Sequence, residues 1–174
     1  MKLRMKKMLS LLFLAACCLM AKAQDPDAEY AREMFQKGDR LPRVEVPDLK
    51  GNVHSLKEFR GKYVVLDFWA TWCPDCRQDV PAMVALHEKY ASDKVVFVGI
   101  SFDTKREQLE GYLAENGMNW LQLCDFRTKK ESPVAEKYRI RWIPAIYLVD
   151  PKGKVVLSTV VVDKLAAELE RVAR

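Results

Sequence analysis

The chain has 174 residues, of which 49% are hydrophobic and 30% charged, with 29 basic against 24 acidic side chains. Five of the basic groups (Lys2, Arg4, Lys6, Lys7 and Lys22) lie in residues 1–23, which hold no acidic residue, so the remaining 151 residues carry 24 charges of each sign. The basic balance is therefore a property of the N-terminal segment, and the rest of the chain gives no electrostatic warrant for binding nucleic acid or an anionic membrane.

Residues 1–23 combine basic residues, an apolar stretch from Leu9 to Ala21 and the small-residue site Ala21-Lys22-Ala23, the pattern of a secretory signal peptide. The apolar run, about 13 residues, is shorter than the roughly 20 that a spanning helix needs. Leu14-Ala15-Ala16-Cys17 also resembles the lipobox of bacterial lipoproteins, so anchoring through a lipidated Cys17 stands as the alternative to cleavage after Ala23. Either way the expected location is exported and periplasmic. Residues 24–38 read as a polar, helix-like lead-in that ends at Gly38 and serves as a linker docking on the domain of residues 39–174, long enough for one core of its own.

The domain opens with two short extended pieces around Lys50-Gly51-Asn52, a β-hairpin signal, and a helical turn closed by Gly61. "YVVLDFWA" is a β-branched and aromatic run of the kind buried on both faces of a sheet. After the cysteines, Val80, Met83, Val84 and Leu86 recur at helical spacing, with Pro81 expected to kink that helix. "KVVFVGISFD" is a second buried strand. A helix with a Thr104/Glu107 capping box and Gly117 beyond its end follows. "NWLQLCDF" is strand-like, and Ser132 with Pro133 begins another helix. Two strands joined by Pro151-Lys152-Gly153 and a closing helix complete the chain. This order predicts an α/β fold: a mixed central sheet flanked by helices on both faces, with an N-terminal β-hairpin.

"WATWCPDC" places Cys73 and Cys76 two residues apart after a strand. A zinc site usually takes four nitrogen or sulfur ligands, and Cys124, His54 and His87 supply no second pair, so neither metal nor cofactor is expected. At a strand-to-helix junction Cys73 meets unpaired N–H groups and the positive end of the macrodipole, which favour its thiolate, the attacking species in disulfide exchange. Cys76, one turn later, lies on the same side and can close a disulfide with it. An inert bridge over so small a loop would staple little chain. Three cysteines beyond the leader leave at least one thiol unpaired, and Cys124, in an apolar segment, is expected to be buried and inert. His54 and His87 read as surface residues. Asp67, in the middle of "VVLDFW", is costly to bury ionised and should have a raised pKa, unless it points out of an edge strand.

"VVLDFWATWCPDC" and "WIPAIYLVDPKGKVV" together resemble the thioredoxin superfamily. More closely, residues 38–174 resemble the TlpA/ResA-type exported thiol-disulfide oxidoreductases, which add an N-terminal hairpin and an insertion after the second core strand. The resemblance implies that Cys73 attacks a substrate disulfide and Cys76 resolves the mixed disulfide. It implies a cis peptide at Ile143-Pro144, with the peptide groups of Ile143 pairing with an extended substrate, and substrate contact by Trp72 beside Pro74. Asp67 would accept and donate the proton of the second cysteine, whereas Trp69 reads as core. Pro74-Asp75 departs from the Gly-Pro of thioredoxin, and the Asp75 charge should oppose the Cys73 thiolate and make the couple more reducing. The implied partners are disulfide-containing exported proteins, with cytochrome c maturation as one substrate class, and a membrane electron donor for re-reduction; a monomer is expected. A disulfide-forming oxidant, a thiol peroxidase, whose P-x-x-x-T-x-x-C pattern this chain lacks, and a non-catalytic binding module are the competing functions.

Overall fold

The computed structural model describes residues 25–173, so the proposed leader and Cys17 lie outside the described residues. The chain enters through α1 (Pro26–Tyr30), whose N-cap is Asp25. The lead-in is not one helix to Gly38: five residues are helical, and turns follow. Ala31 and Met34 are buried in the core, because the tight turn aims these two apolar side chains at the sheet while the polar ones face out.

Strands β1 (Glu45–Pro47) and β2 (Val53–Ser55) form the expected antiparallel hairpin, with Gly51 at a positive φ of 89° in its turn. A 3-10 turn, Leu56–Phe59, leads into β3 (Tyr63–Trp69). Next come α2 (Pro74–Tyr90), continuous through Pro81, and β4 (Val95–Ser101). Helix α3 (Arg106–Glu115), β5 (Leu121–Cys124), α4 (Pro133–Lys137), β6 (Ala145–Val149), β7 (Val155–Thr159) and α5 (Val162–Val172) complete the fold.

The five-stranded sheet runs β5-β4-β3-β6-β7. Strands β3, β4 and β5 are parallel, whereas β6 and β7 are antiparallel to their neighbours. One face carries α2, α3 and α5: His87 packs edge-on against Phe97, Tyr112 against Trp69, and α5 lies beside α2. The other face is covered by α4 and the hairpin: Tyr138 packs against Phe68, Val46 and His54 line a small gap with Leu66, Val98 and Ile100, and a backbone bridge from Asp48 to Leu123 ties the hairpin to the edge strand β5. The architecture is the mixed sheet between helical layers that the order of elements predicts.

Two local expectations are corrected. The N-cap of α3 is Lys105, with no side-chain bond, so Glu107 stands too early to close a box with Thr104. The reason lies just upstream, where buried Asp103 is fastened by Ser101 and Thr71 and fixes the angle at which the chain leaves β4. His87 is not a surface residue but half-buried against Phe97 and Trp120, and burial lowers its pKa.

Gly99 sits in β4 between Asp67 on β3 and Gln122 on β5. A Cβ there would fall 2.0 Å from Oε1 of Gln122, the atom that accepts the indole N–H of buried Trp69 at 3.1 Å. Gly99→Ala should therefore displace Gln122, break that bond and cost about 1–3 kcal/mol in urea unfolding. Adding Gln122→Ala should recover part of the loss, a non-additivity that a double-mutant cycle reads directly.

Candidate active site

The polypeptide leaves β3 at Trp69 and must turn into α2 within four residues. Buried Asp103, at the end of β4, holds that turn: its carboxylate accepts from the Thr71 amide at 3.0 Å and the Thr71 hydroxyl at 2.5 Å, and from Ser101 at 2.7 Å. The Phe102 amide donates to the Trp69 carbonyl at 3.0 Å, continuing the β3–β4 pairing one step past the strands. The turn is thus fixed from the neighbouring strand, and α2 begins at a defined place.

That place is Cys73. It is the N-cap of α2, and its Sγ accepts the Cys76 amide at 3.1 Å, so the sulfur occupies the position of a capping oxygen. Pro74 at the first helical position has no N–H to satisfy. Cys73 and Cys76 are joined in a disulfide, their Cα atoms 5.3 Å apart. Both are almost wholly buried, at 4% and 3% exposure, whereas Trp72, Pro74 and Asp75 are exposed around them. The Trp72 indole N–H donates to the Phe102 carbonyl at 3.3 Å, which gives that exposed ring a fixed orientation.

The loop before β6 faces the disulfide. The Ile143-Pro144 peptide is cis, and the Ile143 carbonyl oxygen lies 3.6 Å from the Cys73 sulfur. Both residues are buried. The antiparallel pairing of β6 with β3 (Phe68 opposite Ala145) explains the encounter, since the start of β6 must lie beside the end of β3.

Asp67 lies on central β3 rather than on an edge, 5% exposed, on the sheet face that α2 covers. Burial, reinforced by the neighbouring Asp79, pushes its pKa from 3.8 up to about 7. Asp79, one turn past Cys76, is itself raised to about 6 by burial and by the charges of Asp163 and Asp75. Two carboxyl groups that change charge near neutrality therefore sit beside the start of α2.

Sequence reasoning brought Cys73, Cys76, Asp67, Trp72, Pro74, Asp75, Ile143 and Pro144 together, and the fold places all of them at one end of the sheet. It missed Asp79 and the Asp103–Thr71 clamp. Asp79 was detectable by its i+3 spacing from Cys76, whereas only the β3–β4 register reveals the clamp. Cys124 is fully buried; its thiol donates to the Asp103 carbonyl at 3.3 Å, and burial raises its pKa. His54 lies on the hairpin between Glu58 and Asp48, at 2.9 and 3.2 Å, away from the disulfide. Among the described residues no three His, Cys, Asp or Glu side chains are grouped to hold a metal ion. A cavity of about 190 Å³ runs between Val64, at the start of β3, and Val149, at the end of β6. It lies at the opposite pole from Cys73, so the disulfide is not part of it.

Residues 37–158 match the AhpC/TSA family. The chain is 32% identical over 122 residues to the thioredoxin-like protein YneN of Bacillus subtilis, covering 68% of each chain. It is 30% identical over 125 residues to the thiol-disulfide oxidoreductase ResA of Bacillus thuringiensis, covering 72% of this chain and 70% of that one. Among solved structures, the thioredoxin domain of a thiol-disulfide oxidoreductase from Bacteroides vulgatus superposes with a TM-score of 0.72 at 32% identity, over 80% of this chain and 99% of that chain. A thiol-disulfide oxidoreductase from Bacteroides fragilis gives 0.71 at 28% identity, over 77% and 99%. With its disulfide at the head of a helix and this breadth of likeness, the chain belongs to the AhpC/TSA family, as a thioredoxin-like thiol-disulfide oxidoreductase.

Proposed function

We propose that the protein is an exported reductant of protein disulfides, working through the Cys73/Cys76 couple. The observation that carries this reading is the Cys73 sulfur itself: it caps α2, where the helix favours a thiolate, and faces the Ile143 carbonyl of the cis-proline loop. In the dithiol form the Cys73 thiolate attacks one sulfur of a substrate disulfide. A mixed disulfide forms, and the other substrate sulfur leaves as a thiolate that takes up a proton. Cys76, its proton accepted by Asp67, then attacks Cys73; the second substrate thiol is released and the enzyme disulfide closes. Two electrons pass to the substrate. The peptide groups of Ile143, beside Pro144, and the ring of Trp72 serve as the substrate's contacts.

Asp75 supports the reducing direction. Its charge beside the first turn opposes the Cys73 thiolate, which makes the dithiol less favoured and the couple more reducing. Reduction in an oxidising compartment requires an electron source, and a membrane electron donor is the partner we assign to it. The signal-peptide reading of residues 1–23 supports export to the periplasm, with a lipid anchor at Cys17 as its variant. Among the described residues no helix is long and apolar enough to cross a membrane. Apocytochromes whose haem-binding cysteines must be kept reduced are one substrate class for a monomer of this kind.

Equilibration with thiol buffers should give a reduction potential close to the roughly −270 mV of thioredoxin; a value near the roughly −120 mV of DsbA would identify a disulfide-forming oxidant instead. Cys76→Ser should accumulate a mixed disulfide with protein substrates that thiol trapping and non-reducing gels reveal, whereas Cys73→Ser should form none. Asp67→Asn should slow release from that mixed disulfide by about 100-fold or more above neutral pH, where the carboxylate is the base. The same substitution should stabilise the fold. The folded protein holds the Asp67 proton more tightly than the unfolded chain does, so this group favours folding below pH 3.8, an advantage lost as the pH rises through about 7. Unfolding curves for D67N should therefore show a gain of about 2–4 kcal/mol above neutrality that fades on acidification.

A further inference from the structure

The residues that lie before the family match hold the cis-proline loop in place. The match begins at residue 37, yet the segment Asp25–Phe35 is fastened to the domain as a strap. The Asp27 carboxylate accepts from the Thr159 hydroxyl at 2.8 and 2.9 Å, the Val160 amide at 2.7 Å and Lys164 at 2.6 Å. At the other end the Phe35 amide donates to the hydroxyl of buried Tyr147 at 2.9 Å. Between these fixed points the strap meets residues 139–142 three times in antiparallel order. Tyr30 stacks on Trp142 with centroids 4.6 Å apart, Glu33 pairs with Arg141 at 3.1 Å, and the Arg139 guanidinium lies 4.1 Å over the Phe35 ring. Ile143 follows immediately, and its carbonyl is the atom beside the Cys73 sulfur.

Large hydrophobic side chains left in solvent are few. Among the described residues they are Val53, Trp72 at 51% exposure and Trp142 at 43%. The two tryptophans are chain neighbours of Cys73 and Ile143, the pair of residues that meet at the disulfide. Both rings are held: Trp72 by the Phe102 carbonyl, Trp142 by Tyr30. Two exposed aromatic rings, each held rigid and each one residue along the chain from the Cys73–Ile143 contact, have the form of a docking platform.

We infer that Trp142, positioned by the Tyr30 stack of the N-terminal strap, determines specificity by receiving a large apolar side chain adjacent to the substrate cysteine. The substrate class is an extended polypeptide segment in which the cysteine has apolar neighbours, as in a chain not yet folded around it. A polar or glycine-flanked cysteine would leave both rings in water. The inference rests on the disulfide-reducing reading and adds to it the sequence that is recognised. Tyr30 touches no substrate and acts through Trp142, which makes it a positioning residue.

The test uses the whole protein, reduced beforehand, and two disulfide-linked peptide dimers, one with Phe on both sides of its cysteine and one with Gly. Single-turnover rates are read as peptide thiol released, by chromatography. The Phe dimer should react faster, and Trp142→Ala should shrink that preference by about five- to tenfold, the worth of one aromatic contact. Tyr30→Ala should shrink it in part, by raising the peptide concentration that gives half the maximal single-turnover rate rather than by lowering that maximal rate, Tyr30→Phe should restore it, and Asp27→Ala, which releases the strap, should behave as Tyr30→Ala does. An unchanged preference in W142A, or an equal rate for the two dimers with the unsubstituted protein, overturns the inference. If the reduced protein reacts with neither dimer nor with a small aromatic disulfide, the reductant reading itself fails and takes this one with it.

Discussion

The register of β3 between β4 and β6 governs the site. The strand is hydrogen-bonded along both edges and buried on both faces, so it has no freedom to slip: a one-residue shift would turn Asp67 to the opposite layer. Three strand ends then meet at one pole. The end of β3 delivers Cys73, the end of β4 delivers Asp103 to hold the intervening turn, and the start of antiparallel β6 delivers Ile143 and Pro144. Asp103, Ile143 and Pro144 reach this pole through strand pairing and not through nearness in sequence to the disulfide.

Two electrostatic influences oppose one another across the disulfide. The head of α2 attracts negative charge at Cys73, an effect of about 0.3–1 kcal/mol at an exposed terminus and more where partly buried. On the inner side the carboxyl groups of Asp67 and Asp79 disfavour it, both raised in pKa first by burial, with the Asp79 charge adding to the shift of Asp67 and the charges of Asp163 and Asp75 adding to that of Asp79. The two sulfurs are therefore unequal before any substrate arrives: one is suited to carry charge, and the other sits close to groups that exchange protons near neutral pH. Separating the behaviour of two like groups by their surroundings is how a single fold assigns them different roles.

Most of this was legible in the sequence because it rests on periodicity and on local chain rules. The apolar run of β3, the Pro-Lys-Gly turn, the W-C-x-x-C at a strand end and the Ile-Pro pair each mark their own element. What escaped depends on distances that no local pattern encodes. The Thr104/Glu107 spacing mimics a capping box, but the Asp103 clamp decides where the helix starts, and that clamp spans 32 residues. His87 looked polar because hydropathy ranks imidazole with polar groups, yet its ring has two aromatic neighbours brought in by β4 and the β5 approach. The strap was read as a linker because its composition is polar. Its anchoring comes from one carboxylate meeting Thr159, Val160 and Lys164, more than 130 residues away.

Cys124 bears on a different problem, that of a thiol carrier living with a spare thiol. A protein that forms mixed disulfides for a living exposes every one of its own cysteines to shuffling, and a Cys73–Cys124 bridge would leave Cys76 with no partner. The fold quarantines the third sulfur: it is fully buried, its proton is directed at the Asp103 carbonyl, and burial depresses the fraction present as thiolate. The bond partner is the backbone of the same residue whose carboxylate holds the active-site turn. One aspartate thus positions the sulfur that must react through its carboxylate and restrains the one that must not through its carbonyl, so integrity of the redox pair and integrity of the local fold are kept by the same residue.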